Sequence, residues 1–458
     1  MSLPKYAEYK VSGVEWIGLF PAHWALKRLR FVAELNPSKS EVAGLDRETE
    51  VSFLPMEAIS DDGSLKLDKM RPIREVETGY TYFRDGDVTL AKITPCFENG
   101  KGALMKGLQG GIGFGTTELI VARPKAGQSS GDFLNWIFRS PNFRQQGEAS
   151  MYGAGGQKRV PDDFVRDLVW AFPSLSEQAT IAAFLDRETG KIDVLIAEQE
   201  KLIALLAEKR EATISHAVTR GLNPDASVKN SGVAWLGEVP AHWKSAQLKH
   251  LCLFLKDGTH LPPPRVDQGV PLLSVRNINE SAFTLREDDS MISQHDYAEL
   301  CRAFIPQDGD VLLAIVGATL GKVAIIPRHL GQFHIQRSLA IFRTSPTMLN
   351  RWLFYCISSG AFQRQLWENV GFSAQPGIYL GTLQNFKMPV PSIREQVELC
   401  DFLDFAVAKI DTLKAEAKRA ISLLKERRSA LIAAAVTGQI DVRGAVALPS
   451  ATTEAIAA

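Results

Sequence analysis

Gly13-Val-Glu-Trp-Ile-Gly-Leu-Phe-Pro-Ala-His-Trp24 returns as Gly232-Val-Ala-Trp-Leu-Gly-Glu-Val-Pro-Ala-His-Trp243, a separation of 219 positions from Trp16 to Trp235. Two tryptophans, a histidine, a proline and two glycines recur without a gap. Self-similarity on this scale decides the architecture before any local reading does. The chain is written twice.

The match continues outward from that stretch. Leu54 through Ile59 aligns with Leu273 through Ile278, Asp85-Gly86-Asp87-Val88 with Asp308-Gly309-Asp310-Val311, and Gly100-Lys101 with Gly321-Lys322. Pro173-Ser-Leu-Ser-Glu-Gln178 answers Pro391-Ser-Ile-Arg-Glu-Gln396. Phe184-Leu-Asp186, Lys191-Ile-Asp193 and Ala217-Val-Thr219 answer Phe402-Leu-Asp404, Lys409-Ile-Asp411 and Ala435-Val-Thr437. Small drifts in the shift mark loop insertions within one shared design.

Each copy has a Trp-rich opening, a body of short Val, Ile, Leu and Phe runs broken by Gly, Pro and Asp-Gly turns, and a long helical tail. One helix is expected inside each body, over 131–146 and 348–368. In the tails, Ser176 or Ser392 is placed to cap the start. Apolar positions follow at Ile181, Leu185, Ile192, Leu195, Leu202 and Leu206, and at Leu399, Leu403, Ile410, Leu413, Ala420 and Leu424. Their steps of three, four or seven track a 3.5-residue period. Gln199 and Arg210 lie on or beside this seam, and the first tail is expected to be helical over 177–217. The simplest packing puts the two tails against each other, antiparallel about a pseudo-two-fold axis. Two separate helical hairpins are the alternative. The expected fold is α+β, with two similar mixed α/β domains joined by two long antiparallel coiled-coil helices. The expected division is 1–174, 175–222, 223–392 and 393–442, with a frayed Ala/Ser/Thr-rich tail over 443–458.

Bulk properties bound the function. The 458 residues are 45% hydrophobic and 23% charged, an ordinary globular balance. Fifty-two basic residues offset 52 acidic ones, so any basic face is local. No apolar run approaches the roughly 18 residues of a membrane span, and the start lacks a signal-peptide core, so a cytosolic protein is expected. Cys96, Cys252, Cys301, Cys356 and Cys400 are scattered, which suits reduced structural thiols and no metal site.

Catalytic motifs are near-misses. Gly317-Ala-Thr-Leu-Gly-Lys322 is one residue short of a phosphate loop, and Val323 stands where a magnesium-binding hydroxyl belongs, so a tight turn is expected. Gly110-Gly-Ile-Gly-Phe-Gly115 leads into no helical pattern and reads as a flexible or close-approach loop. Asp162-Asp163 and Asp288-Asp289 lack a downstream carboxylate-x-Lys strand and read as solvated turns. His23 and His242 read as structural partners of Trp24 and Trp243. No amino-methyltransferase Asn-Pro-Pro-aromatic or Asp-Pro-Pro-Tyr motif occurs.

What is present suits binding. Lys92, Thr94, Asn99 and Lys101 in the first body, and Arg276, Asn277, Asn279, Thr319, Lys322, Gln336 and Arg337 in the second, are candidate base contacts. Arg and Lys match guanine O6/N7, and Asn and Gln match adenine N6/N7. Gln157, Lys158 and Arg159 add candidate contacts to phosphates.

The doubled Trp motif and the doubled Pro-Ser-[Leu/Ile]-x-Glu-Gln…Phe-Leu-Asp…Lys-Ile-Asp…Ala-Val-Thr tail resemble the specificity subunits of type I restriction–modification systems, from about Val11 to Val442. The resemblance implies two target-recognition domains, each reading one half of a split, asymmetric site on double-stranded DNA. It implies that the helices act as spacer and as docking surface for two modification (methyltransferase) subunits. S-adenosylmethionine, ATP and magnesium are then expected on the modification and restriction/motor partners, and this chain is expected to be a non-catalytic, cytoplasmic recognition subunit with no membrane contact. The bodies differ in sequence, Lys92-Ile-Thr-Pro-Cys-Phe97 against Ile315-Val-Gly-Ala-Thr-Leu320, so unlike half-sites are expected. A stand-alone methyltransferase or nuclease relative, and a coiled-coil scaffold without DNA binding, are the competing readings.

Overall fold

The computed structural model describes residues 3–154, 156–372 and 375–445. The chain divides into two compact units, one of residues 1–199 with 419–458 and one of residues 200–418. Both divisions fall inside long helices, Leu175–Arg220 and Ile393–Val436. Each unit therefore owns one mixed α/β body and part of each long helix. From residue 446 on, the expected tail lies outside the described residues.

In the first unit a four-stranded sheet runs in the order Met70–Pro72, Glu50–Leu54, Ile112–Gly115, Thr81–Arg84, with one parallel pair at its centre. A second, antiparallel sheet runs Ala33–Leu35, Leu119–Pro124, Val88–Ala91, Gly102–Leu104. The second unit has an antiparallel sheet of Cys252–Asp257, Leu339–Thr344, Val311–Ala314 and Val323–Ile325. Beside it, Val270–Leu273 pairs in parallel with His334–Ile335 and antiparallel with Met291–Ile292.

Three expectations on local structure are corrected. The single helix expected in each body is a broken pair: Gly131–Arg139 then Pro141–Ser150, and Asn350–Ser358 then Gly360–Glu368. At each break a fully buried serine, Ser140 or Ser359, is extended and its Oγ accepts the N–H of Phe143 or Phe362. Proline after Ser140 disfavours the helical region there, and the hydroxyl restarts the helix as an N-cap. The cap of the first long helix is Ser174, whose Oγ accepts the Glu177 N–H at 3.3 Å, not Ser176; Ser392 caps the second as expected. The Gly110–Gly115 stretch is largely a strand rather than a loop. It does make close approaches: a Cβ on Gly113 would lie 2.3 Å from the Phe83 ring. Gly317–Lys322 is the turn between strands that its spacing predicts.

The repeated motifs close on one another within each unit. Glu177 accepts hydrogen bonds from Trp24 Nε1 at 3.1 Å and Tyr6 Oη at 2.7 Å, and pairs with His23 Nε2 at 2.9 Å. Glu395 accepts from Trp243 Nε1 at 2.8 Å and pairs with His242 at 2.9 Å. Next to them, fully buried Gln178 and Gln396 each bond three backbone groups, tying helix start to body. The Asp-Gly-Asp turns are anchored likewise, Asp87 by Arg123 and Asp310 by Arg343, each through two nitrogens. Burying these polar groups is tolerable only because each has its partner.

The helix segments join the cores. In the first unit Ile181 and Leu185 pack in one cluster with Ile432, Ala435 and Val436. In the second, Ile214, Ala217 and Val218 pack with Leu399 and Leu403. Ile192, Leu206 and Ile410 are buried and Leu424 is half-buried. Leu195, Leu202 and Leu413 are not, at 50%, 40% and 41% exposed. The more buried positions between are Ile196, Gln199 and Ile203 on the first helix and Lys414 and Ala417 on the second. Strict steps of three and four therefore pass one residue beyond those leucines, and run through a glutamine, a lysine and an alanine. Burial pushes the Cys252 and Cys400 thiols up to about 12 and Cys356 well above its ordinary value, and none of the five cysteines is in a disulfide. Among the described residues, no helix is long and apolar enough to cross a membrane.

Candidate nucleic-acid interface

The same backbone connections build one end of both bodies. In the first, Lys92 N–H bonds Glu118 O, Val160 N–H bonds Lys92 O, and Arg159 bridges Ile93 on one side and Tyr152 on the other. In the second, Ile315 N–H bonds Ser338 O, Ile378 N–H bonds Ile315 O, and Gly377 pairs with Val316 and with Gly371. An irregular strand end is thus held against a short two-armed loop twice over. The side chains mounted on it differ.

In the first body they are polar and interlocked. Lys92 Nζ lies 4.0 Å from Asp162, and Thr94 Oγ1 donates to Glu98 at 3.0 Å. Arg159 grips Glu118 through two nitrogens at 3.0 and 2.8 Å, and these hydrogen bonds hold the Glu118 carboxyl below the usual carboxylate range. Lys101 Nζ donates to Met56 O. Asn99, Gln157 and Lys158 are exposed, and Tyr152 beside them is 63% exposed. In the second body the matching place is an open cleft of about 630 Å³ that includes Asp257, His260, Ile315, Val316, Arg337 and Tyr379 in its lining. His260 Nε2 meets Asp257 at 2.7 Å, and Tyr379 is 80% exposed. Arg337 is exposed there, while Gln336 is half-buried with its amide donating to Leu272 O.

The remaining candidates of the second body lie on neighbouring turns. Asn279 is exposed, and Lys322 is exposed with Nζ donating to Ile278 O; Thr319 sits half-buried in the 317–322 turn. Arg276 is held by Asp288. Asn277 is a correction: it is 1% exposed, its Nδ2 donates to Asp289 and Thr284 O, and its Oδ1 accepts the Ser274 N–H. With both ends of its amide occupied inside the turn, it shapes the loop and has nothing left for a base. Asp288 and Asp289 thus serve arginine and asparagine, and among the described residues no group of three or more His, Cys, Asp or Glu is arranged to hold a metal ion.

Tyr379, His260, Tyr152 and Glu118 carry this end and were not marked by any motif. The repeat offers one signal. At the shift of 218 that aligns the Pro-Ser tails, Tyr379 falls opposite Pro161, two residues after Arg159.

Residues 240–422 match the family model of the type I restriction modification DNA specificity domain. The specificity subunit of the type I restriction enzyme EcoAI, from Escherichia coli, is 43% identical over 192 residues. That alignment takes in 42% of this chain and 32% of the relative, so the chain matches about a third of the relative's length. A chain from a type I R-M system, solved to describe its complex assembly and conformational transition, superposes with a TM-score of 0.67 at 20% identity, covering 91% of this chain and 98% of that one. The HsdS subunit from Thermoanaerobacter tengcongensis gives 0.54 at 20% identity, covering 92% and 98%. At such identity these two likenesses concern the fold. The domain match over 240–422, the EcoAI relative and the doubled motifs of both units together make the chain similar to the specificity subunits of type I restriction–modification systems.

Proposed function

We propose that the protein is the sequence-reading subunit of a type I restriction–modification complex, each body recognising one half of a bipartite, asymmetric site on double-stranded DNA. One observation carries the reading: a single backbone framework presents Lys92, Thr94 and Arg159 in one body but Ile315, Arg337 and Tyr379 in the other. Two frames of one shape with unlike chemistry suit two unlike half-sites, where identical side chains would suit a palindrome.

In this reading the long helices form an antiparallel coiled coil about a pseudo-two-fold axis and set the number of unspecified base pairs. The matched ion pairs Arg428–Asp193 at 2.9 Å and Arg210–Asp411 at 3.3 Å, one in each unit, support that register. The apolar side chains left exposed on the helices, Leu195, Leu202, Leu205, Leu413 and Leu423, suit docking of two modification subunits. Those partners, with restriction subunits, would bring S-adenosylmethionine, ATP and magnesium in the cytoplasm, and this chain would do no chemistry of its own. The test is methylome sequencing of cells carrying the full system. A two-part asymmetric motif is expected, and Arg337→Ala should relax one half of it while leaving the other intact. A palindromic motif, or equal change in both halves, would overturn the reading.

A further inference from the structure

Arg139, Arg144 and Arg428 converge in the first unit, and two of them have no hydrogen-bond or ion-pair partner among the described residues. Arg428 pairs with Asp193. Arg139 and Arg144 make neither hydrogen bond nor ion pair among the described residues, although both are half-buried and Arg144 Nε is fully so. Arg139 has only the face of Trp136, 4.9 Å from its ring centre. Burial, with the charge of Arg428, pulls Arg139 down to about 10 and lowers Arg144 in the same way, yet both stay cationic at neutral pH. Asp62 and Glu148 bear on them from a distance, and Asp62 is already accepting from Ser64. Two glycines make the room. A Cβ on Gly63 would sit 3.1 Å from Arg139 Nη1, and one on Gly100 would sit 2.9 Å from Arg144 Nη1.

The second unit shows the same place closed. At the positions of Arg139 and Arg144, by the shift of 219, stand Ser358 and Gln363. Ser358 Oγ donates to Phe354 O, and Gln363 Nε2 donates to Gly321 O and Ile357 O, so nothing there waits for a ligand. Leaving guanidinium donors half-buried and unpaired is costly, which points to an anion supplied from outside.

We propose that Arg139, Arg144 and Arg428 hold a backbone phosphate of duplex DNA, outside the bases being read. The proposal rests on the DNA-reading function above and adds a sequence-independent contact to it. The planar fork of a guanidinium fits phosphate oxygens two at a time. The cluster adjoins the turn that carries Asn99 and Lys101. Its presence in one unit alone argues against an acidic contact to the paired modification subunits, since a partner that docks twice needs its contact twice.

The test uses the assembled complex with its modification subunits and labelled duplexes, with and without the methylated motif. The variants Arg139→Ser and Arg144→Gln, singly and together, carry the second unit's own residues, which that unit accommodates at the same place. The double variant is expected to bind both duplexes about tenfold more weakly, with a salt dependence of log affinity shallower by about one to two and an unchanged methylated motif. Unchanged affinity and salt slope in a complex that still selects its site would overturn the proposal. So would an altered motif, or loss of subunit assembly with DNA affinity intact. A wild-type complex with no site preference would instead overturn the functional reading, and the phosphate site with it.

Discussion

Glu177 shows how much one side chain is asked to do. It is 6% exposed and serves two buried donors, the Trp24 indole and the Tyr6 phenol, as well as His23. Burial and the bond to Glu177 keep Tyr6 protonated far above neutral pH, so it remains a donor. Glu177→Ala should therefore cost about 2–4 kcal/mol, the price of stranding two buried donors. Glu395→Ala, which strands only the Trp243 indole beside an exposed His242, should cost about 1–2 kcal/mol. Urea unfolding of the two variants compares them directly, and equal losses would contradict the assignment. His334 gives a second case. It is 1% exposed against Phe304 O and Ile335 O, and burial lowers its pKa below the ordinary value. Below about pH 6.5 the unfolded chain takes up a proton that the folded one refuses, so stability should fall as pH drops through that region, and His334→Gln should flatten the fall. Urea midpoints at pH 7 and pH 5 for both proteins measure it. At this scale the sequence showed where residues matter more readily than what they do. The doubled Trp-His motif marked Trp24 and His23, but their common acceptor lies 153 residues from Trp24, in the Pro173–Gln178 motif. Asn277 read as a base contact because an amide that reads adenine is the same group that ties a turn.

At the scale of the element, the long helices were legible in existence and nearly in extent, 177–217 expected against Leu175–Arg220. Their inward face was misread in the middle. Two apolar residues stand side by side at Leu195-Ile196 and again at Leu202-Ile203, and either member of each pair fits a helical step. Choosing the leucines led from Ile192 to Leu195 and Leu202, while the better-buried positions step through Ile196, Gln199 and Ile203. Gln199 is expected on or beside the seam, but Lys414 and Ala417 on the other helix hide from any reading that counts leucines. Truncation tells the two registers apart: Ile192→Ala should cost about 2–4 kcal/mol, whereas Leu195→Ala should stay within about 1 kcal/mol. Thermal unfolding reads both, and a larger loss at Leu195 would restore the discarded register. The breaks at Ser140 and Ser359 escaped for a different reason. The apolar period runs on across them, and only the Ser-Pro step at Ser140 announces the interruption. Ser359-Gly360 carries no such sign.

For the whole molecule, the repeat was the most readable feature, because two copies that share buried polar partners must keep those partners together. Glu177 with Trp24, Gln178 with its three backbone groups and Asp87 with Arg123 each recur in the second unit, and Trp24, Glu177, Gln178 and Asp87 all lie in the matching motifs. The ends proposed to read DNA were illegible because their side chains are held by partners far apart in the sequence, Arg159 by Glu118 and Gln336 by Leu272 O, that no motif marks. The division into two units yields a prediction about the helices. Seven residues inserted into both of them, at 199/200 and at 418/419 where the two compact units divide, preserve the inward face and add about 10.5 Å of helix. At about 3.4 Å per base pair that corresponds to roughly three more unspecified base pairs. Three base pairs also turn the duplex by about 100°, while seven helical residues fall only about 20° short of two full turns. The mismatch must be absorbed by twisting DNA or helices, so methylation should slow even at the best new spacing. Methylome sequencing is expected to show both half-sites unchanged in sequence and the gap between them longer. A gap that stays the same would mean that the helices do not set it, and a changed half-site would mean that the bodies do not read independently.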